Sequence, residues 1–181
     1  MITGVGSGAG TGGTVAAEQS VLYNRLMSEE KEFYKNKTLE EMTPEEWEML
    51  CDGCGKCCYN KYITGRGKNT RLYYTSVSCN FLDVGTGRCM DYENRFRNNR
   101  NCLKLSLRNL KEFTWLPETC AYRLIYEGKN LPDWHPLISG IPVAENPAAR
   151  EYLIKNGIRE SEAEYWEDHV ISCCRLTDLQ Q

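Results

Sequence analysis

The chain has 181 residues, a length typical of one domain, and 41% of them are hydrophobic, enough for one modest core. Its formal net charge of -3 and its pI near 5.6 give no general attraction to nucleic acids or anionic membranes. No apolar run approaches the roughly 18 residues of a transmembrane helix, so we expect no membrane partner.

Residues 1–27 are rich in Gly, Thr, Ala and Ser and are interpreted as a flexible leader or tag. They lack the basic start and the continuous apolar stretch of a secretory signal, which favours a cytoplasmic protein. We expect a cysteine-rich metal-binding domain at 28–172 and a C-terminal tail at 173–181.

The first predicted helix ends near Leu50. Thr43 can cap it, Pro44 suits its first position and Glu46 completes a capping box. The sequence CDGCGKCC follows at 51–58, where the two glycines permit positive φ angles. A tight loop carrying four thiols is therefore expected directly after the helix.

Later elements are read from periodicity and turn residues. Residues 59–70 are expected to be a loop, 71–78 a short strand, 83–88 a turn and 131–147 an extended connection. Further helices are expected at 103–113, between Pro117 and Gly128, at 148–155 and at 162–171. The predicted fold is thus mainly α with irregular loops and at most a short strand pair, a small single domain organised around a cysteine metal site.

Ten cysteines indicate either a disulfide framework or metal chemistry. The absence of a signal sequence and the length of the chain favour metal over disulfides. Cys51, Cys54, Cys57 and Cys58 form C-x2-C-x2-C-C, and a two-residue gap lets two sulfurs reach one metal across a tight turn. The run also has the spacing of iron–sulfur ligation. Because neighbouring side chains tend to point apart, one of Cys57 and Cys58 is expected to have a separate role.

Four single cysteines follow, and with the cluster they supply enough thiols for two four-ligand sites. Cys173 and Cys174 are interpreted as detached, exposed thiols. His135 is expected to be a hydrogen-bonded structural residue rather than a ligand. The candidate metal ligands are Cys51, Cys54, Cys57, Cys58, Cys79, Cys89, Cys102 and Cys120.

Long strings of residues also resemble a known family. They are KTLEEMTPEEWEMLCDGCGKCC at 37–58 and WLPETCAYRLIYEGKNLPDWHPL at 115–137, together with the single cysteines between them. These strings resemble the bacterial YkgJ-type CxxCxxCC proteins, specifically the YcgN-like branch, which are described as zinc- or iron-chelating. The resemblance covers about residues 33–140 and implies the eight ligand positions above and a bacterial cytoplasmic protein. It implies no particular reaction.

The function expected from the sequence is binding of zinc or iron by a thiolate site, in an unknown process. The alternative is an iron–sulfur protein in redox or radical chemistry, since both metals accept four cysteines. A cysteine-nucleophile enzyme is weakly supported, because the two histidines offer no clear activating base. Arg95, Arg97 and Arg100 form a short basic cluster, which is more often a solvated face than a nucleic-acid site. The sequence leaves open whether the protein is an enzyme and which protein partner it has.

Overall fold

The computed structural model describes residues 32–179, and the chain divides into two compact units between Lys37 and Thr38. The described part of the first unit contains helix α1 (Phe33–Asn36), in which the rings of Phe33 and Tyr34 make an edge-to-face contact. The predicted leader at 1–27 lies outside the described residues, and the boundaries predicted at 28–172 and 173–181 stay predictions. All other elements belong to the second unit.

Six strands are present between residues 38 and 179. They form a four-stranded sheet and a two-stranded hairpin. In chain order they are β1 (Tyr59–Thr64), β2 (Arg71–Ser78), β3 (Leu82–Asp83), β4 (Arg88–Cys89), β5 (Ile158–Arg159) and β6 (Val170–Arg175).

Strand β2 is the centre of the larger sheet. One edge pairs antiparallel with β1, and the other edge pairs antiparallel with β6 and then parallel with β5. Leu72, Thr75, Val77 and Ser78 of β2 are buried, as expected for a strand with neighbours on both sides. The strand predicted at 71–78 is confirmed with the same bounds.

The α-helices of the second unit, α2 (Pro44–Met49), α3 (Arg95–Asn98), α4 (Ala121–Tyr126) and α5 (Pro136–Ser139), have only four to six residues each. The predicted capping box of α2 is confirmed. Thr43 Oγ1 accepts a hydrogen bond from the Glu46 N–H, and the Glu46 carboxylate accepts one from the Thr43 N–H. Helix α4 confirms the predicted helix between Pro117 and Gly128.

The predicted fold class is wrong, because the unit is built on a mixed sheet and its helices are short. The loop predicted at 59–70 contains β1, and 148–155 forms a 3-10 helix at Pro147–Tyr152. No three His, Cys, Asp or Glu side chains of the described residues lie close enough to hold a metal ion. The sheet, rather than a preformed metal site, therefore organises this unit.

Two predicted helices fail for identifiable reasons. In 103–113, the Asn109 side chain accepts a hydrogen bond from the Ser106 N–H and donates one to the Lys104 carbonyl. Such side-chain bonds compete with helical ones, and only a 3-10 turn at Leu110–Glu112 forms. In 162–171, only a 3-10 turn at Glu167–His169 forms, and pairing with β2 draws Val170 and Ile171 into β6, so tertiary context outweighs the local pattern at that end.

Candidate metal centre

The loop Cys51–Cys58 follows α2 and is turned by two glycines. Gly53 has φ +76° and Gly55 has φ +68°, both in the left-handed region that other residues rarely adopt. A 3-10 turn at Lys56–Cys58 follows and brings the Sγ atoms of Cys57 and Cys58 to 4.0 Å. The expectation that this neighbouring pair points apart is therefore wrong.

The hairpin of β3 and β4 packs directly on this loop. A Cβ added to Gly87 would lie 2.5 Å from the Gly53 carbonyl oxygen, and one added to Gly55 would lie 2.9 Å from the Gly87 carbonyl oxygen. Only glycine permits so close an approach of two backbones. At the base of the hairpin, the Cys79 N–H donates to the Cys58 carbonyl at 2.9 Å. Cys79 is thereby held beside the loop.

Cys102 reaches the same region from the turn after α3. Its N–H donates to the Asn99 carbonyl at 3.0 Å, while the Asn99 side-chain amide donates to Cys79 Sγ at 3.3 Å. One asparagine thus links the turn of Cys102 to the thiol of Cys79. Cys89, opposite Leu82 in the hairpin, comes from a further segment.

These segments surround a cavity of about 380 Å³, which we call the cysteine cavity. Its wall also contains the aromatic side chains of Trp47, Tyr92 and Tyr122 and the cations of Arg95 and Lys104. Six of the eight predicted ligands line it: Cys51, Cys57, Cys58, Cys79, Cys89 and Cys102.

The other two predicted ligands do not line this cavity. The Cys54 side chain packs against the buried cluster of Trp134, Val143 and Ala149. Cys120 occupies the N-cap position of α4. Burial raises the pKa of each thiol, and the negative charge of Asp52 raises it further. The eight cysteines are therefore divided between two environments.

Cys173 and Cys174 lie on β6, away from the cysteine cavity. Cys173 is exposed and its Sγ lies 3.8 Å from an Arg71 guanidinium nitrogen, whereas Cys174 is half-buried. All ten cysteines are within the described residues, and all are free thiols.

The surrounding protein favours the protonated form of several of these thiols. Burial raises the pKa of Cys51 to about 12 and that of Cys120 to about 11. The pKa of Cys57 is raised first by its hydrogen bond with Cys58 and then by burial. Both Cys51 and Cys57 nonetheless have part of their surface exposed. A metal would have to displace protons from these thiols, as thiolate ligation generally requires.

Sequence reasoning missed a polar group in the cavity wall. The Tyr92 hydroxyl donates to Glu48 Oε2 at 2.5 Å, and the Arg95 guanidinium stacks 3.6 Å above the Tyr92 ring. Arg95 also lies 3.9 Å from Glu48 Oε1. No local motif marks the three residues together, because Glu48 on α2 lies 44 residues before Tyr92 in the sequence.

The donor atoms of the cysteine cavity fit a soft or borderline metal. Sulfur suits zinc, iron–sulfur clusters and copper(I) and disfavours calcium or magnesium. His135 is not available as a ligand: it is fully buried, its Nδ1 accepts from the Leu137 N–H, and its Nε2 lies 3.2 Å from the Leu50 carbonyl. The cavity would thus bind a metal through sulfur.

Residues 50–121 match the family model CxxCxxCC, described as "Putative zinc- or iron-chelating domain". The match includes all eight predicted ligands and excludes Cys173 and Cys174. The family resemblance seen in the sequence is thereby confirmed, while the narrower branch stays a prediction.

The chain is also similar to curated bacterial proteins. It is 56% identical to a UPF0260 protein of Haemophilus influenzae strain PittEE over 145 residues, which cover 80% of this chain and 95% of that one. It is 55% identical to a UPF0260 protein of Pasteurella multocida, covering 78% and 95%, and 47% identical to one of Vibrio atlanticus, covering 77% and 94%. No solved structure matches the chain significantly. Within residues 32–179, no helix has the length and apolar character needed to cross a bilayer.

Proposed function

Because this chain belongs to the UPF0260 family and carries its chelating-domain motif, we propose that it binds zinc or iron through cysteine thiolates in the cysteine cavity. The observation that supports the proposal most directly is the convergence of six thiols from separate chain segments on one cavity. Thiolates repel one another, so six cysteines on one cavity favour a cation that accepts their charge once they lose their protons.

The residues that would hold the metal are the six thiols of the cavity. Cys57 and Cys58, 4.0 Å apart, are close to the sulfur separation that a single tetrahedral ion imposes. Asn99 donates to Cys79 Sγ and would hold this sulfur in place while stabilising negative charge on it. Because the side chains are not yet at coordination distance, metal binding would draw the surrounding loops together and stabilise them.

A second candidate is an iron–sulfur cluster in the same cavity, serving redox or radical chemistry. Two observations favour it over a single ion. The cavity offers six thiols where one tetrahedral ion needs four, and its volume of about 380 Å³ is far larger than one ion. A cluster binds its thiolates through different iron atoms and so accepts wider sulfur separations.

We also propose that the protein works in the cytoplasm. Ten free thiols support a reducing compartment, where such thiols persist and bind metals. The proposal includes no nucleic-acid or protein partner.

The test is purification of the full chain without oxygen or chelators, followed by metal and acid-labile sulfide analysis and an absorbance spectrum of the same sample. We expect stoichiometric zinc without visible absorbance, or iron with sulfide and a broad visible band. The first result would identify a zinc site and the second a cluster. Absence of both metals from folded, reduced protein would contradict the proposal.

A pair of matched variants locates the metal. Cys89→Ser removes a thiol of the cavity, and Cys174→Ser removes a thiol of similar burial on β6. We expect metal content to fall in the first and to stay at the wild-type value in the second. Equal metal content in both variants would show that the cavity does not hold the metal.

A further inference from the structure

A second cavity, of about 670 Å³, lies against the larger sheet, and none of the ten cysteines lines it. We call it the sheet cavity. Its lining includes a row of three residues that lie directly opposite one another on neighbouring strands: Lys61 on β1, Tyr74 on β2 and Ser172 on β6. Residues 115–118, which precede α4, and residues 151–155 complete most of the lining. A cavity of this volume is typical of sites for small organic molecules.

Lys61 places a cation in the sheet cavity. Its ammonium donates to the carbonyls of Tyr59 at 2.6 Å and Lys56 at 3.1 Å, and it lies 4.5 Å from the centre of the Trp115 ring. An ammonium has three N–H donors, so one is left without an acceptor among residues 32–179. Burial lowers the pKa of Lys61 to about 8, which still leaves the group mainly charged at pH 7. No carboxylate of those residues forms a salt bridge with it.

The other charged side chains of the sheet cavity do not compensate Lys61. Its acidic side chains are all exposed to solvent: Glu118, Glu151 and Asp178. Arg123 is half-buried, but the Glu127 carboxylate already pairs with its Nε at 2.7 Å. The Asn60 side chain, which also contributes to the lining, has a buried Nδ2 without a hydrogen-bond acceptor. The inner lining therefore has more N–H donors than acceptors, and a buried donor without an acceptor is costly.

Much of the remaining lining is apolar and held in place. The Tyr74 hydroxyl donates to the Trp115 carbonyl at 3.2 Å, which fixes the segment before α4 on the sheet. On the other side, the ring of Tyr152 stacks on that of Trp134 with ring centres 5.2 Å apart, and Leu153 packs against the same buried cluster. An apolar ligand would meet side chains that are already positioned, which reduces the entropic cost of binding.

We propose that the sheet cavity binds a small organic carboxylate with an apolar body. The carboxylate accepts the free N–H of Lys61 and balances the charge of the ammonium, in a hydrogen bond that is strong because both partners are charged. The apolar body packs beside Trp115 and Leu153. A single ammonium matches one negative charge, whereas phosphate recognition usually uses several cationic donors. The site involves no metal and is independent of the cysteine cavity.

The experiment measures binding of phenylacetate to the full chain by isothermal titration calorimetry, with the metal content of each sample recorded. Acetate has the charge without the apolar body, and phenylacetamide has the body without the charge. We expect saturable binding of phenylacetate at about millimolar concentration, as for a ligand of roughly ten non-hydrogen atoms, and binding of the other two probes that is weaker by about tenfold or more. Absence of saturable phenylacetate binding, or equal binding of either comparison probe, would overturn the proposal.

Two lysine variants locate the carboxylate. Lys61→Met removes the half-buried ammonium, and Lys155→Met removes an exposed ammonium that lines the same cavity. We expect Lys61→Met to weaken phenylacetate binding by about tenfold or more without changing that of phenylacetamide, and Lys155→Met to bind like the wild type. Wild-type affinity in Lys61→Met, or equal weakening in both variants, would reject Lys61 as the partner of the carboxylate.

A blocking variant tests the site even if Lys61→Met fails to fold. Ser172 is exposed and lines the cavity, so Ser172→Trp adds a large ring there and leaves Lys61 in place. Thr64→Trp is its matched control, because Thr64 is an exposed strand residue that does not line the sheet cavity. We expect Ser172→Trp to lose phenylacetate binding with unchanged metal content, and Thr64→Trp to keep both. Undiminished binding in Ser172→Trp would show that the ligand binds elsewhere and would overturn the proposal.

Discussion

Two pairs of adjacent cysteines occur in this chain, and their backbones give them opposite properties. Cys57 and Cys58 lie on a 3-10 turn, where their sulfurs are 4.0 Å apart and both line the cysteine cavity. Cys173 and Cys174 lie on strand β6, where successive side chains point to opposite faces. Cys173 is exposed beside Arg71, and Cys174 is half-buried opposite Leu72. Adjacency in sequence thus becomes adjacency of sulfurs only where the backbone leaves regular extended structure.

The largest expected effect comes from removing each pair in turn. The double variant Cys57→Ser, Cys58→Ser should lose roughly half or more of the bound metal, because both sulfurs belong to one cavity. The double variant Cys173→Ser, Cys174→Ser should keep the wild-type content. Metal analysis of the wild type and the two double variants after anaerobic purification tests this contrast between the cysteine pairs. Equal metal loss in the two double variants would contradict it.

Two glycine variants test whether the loop that carries Cys57 and Cys58 is held by its contact with the hairpin. Gly55→Ala places a methyl group 2.9 Å from the Gly87 carbonyl oxygen in addition to straining a left-handed residue. We expect it to lower the free energy of unfolding by about 3 kcal/mol and to reduce metal content. Gly53→Ala has the same kind of φ with open space around its Cβ and should cost about 1 kcal/mol. Urea unfolding gives both values, and equal costs would show that contact with the hairpin does not hold the loop.

The loop also depends on His135, which bonds the Leu50 carbonyl just before Cys51. His135→Gln should cost about 2 kcal/mol at pH 8, because two buried hydrogen bonds are weakened. Burial lowers the pKa of His135 in the folded state, so its stabilising contribution is fully present above the ordinary pKa of about 6.5 and is lost as the pH falls from that value through the lower pKa of the folded state.

The stability difference between wild type and His135→Gln should therefore narrow from pH 8 to pH 5. Denaturant unfolding of both proteins across that range provides the measurement. Both proteins are compared in the metal-free form, so that loss of metal in acid does not enter the difference. A difference that widened on acidification would show that His135 is charged in the folded protein.

The smallest effect is expected on the sheet that carries the second cysteine pair. Tyr73, directly opposite Cys173, stacks on Tyr62 of β1 with ring centres 4.9 Å apart. Tyr73→Ala should cost about 1 kcal/mol, as cross-strand aromatic pairs do, without changing metal content. A change in metal content would show that the sheet and the cysteine cavity depend on one another, which would weaken the contrast between the two regions.

Elements fixed by local chemistry were predictable from the sequence. The capping box of Thr43 and Glu46 and the start of α2 at Pro44 depend on neighbouring residues alone. The alternating, β-branched strand at 71–78 was equally clear. Strand β6 was not predicted: its first two residues fall in the helix predicted at 162–171 and the rest beyond it, because the strand depends on pairing with β2, about a hundred residues earlier.

The candidate site was predictable in its residue types but not in its geometry. Spacing identified the cysteines, yet nothing local indicates that Cys54 packs against Trp134 while Cys57 faces the cavity. The sequence did not indicate that Asp52 is buried either, because a charged residue between two cysteines is typical of a solvated surface. Only the packed structure shows that its Oδ2 is buried without a partner.

The position of β6 has a consequence for how the chain is made. A ribosome extends a chain by about 5–20 residues per second, so β6 emerges roughly 5–20 s after the part of β2 with which it pairs. By then every cysteine from Cys51 to Cys120 has already left the ribosome. The nascent protein therefore presents its candidate metal-binding thiols while its central strand still has an open edge. During that interval, oxidation of the thiols competes with binding of the proposed metal. Aggregation through the open strand edge competes with pairing of β6.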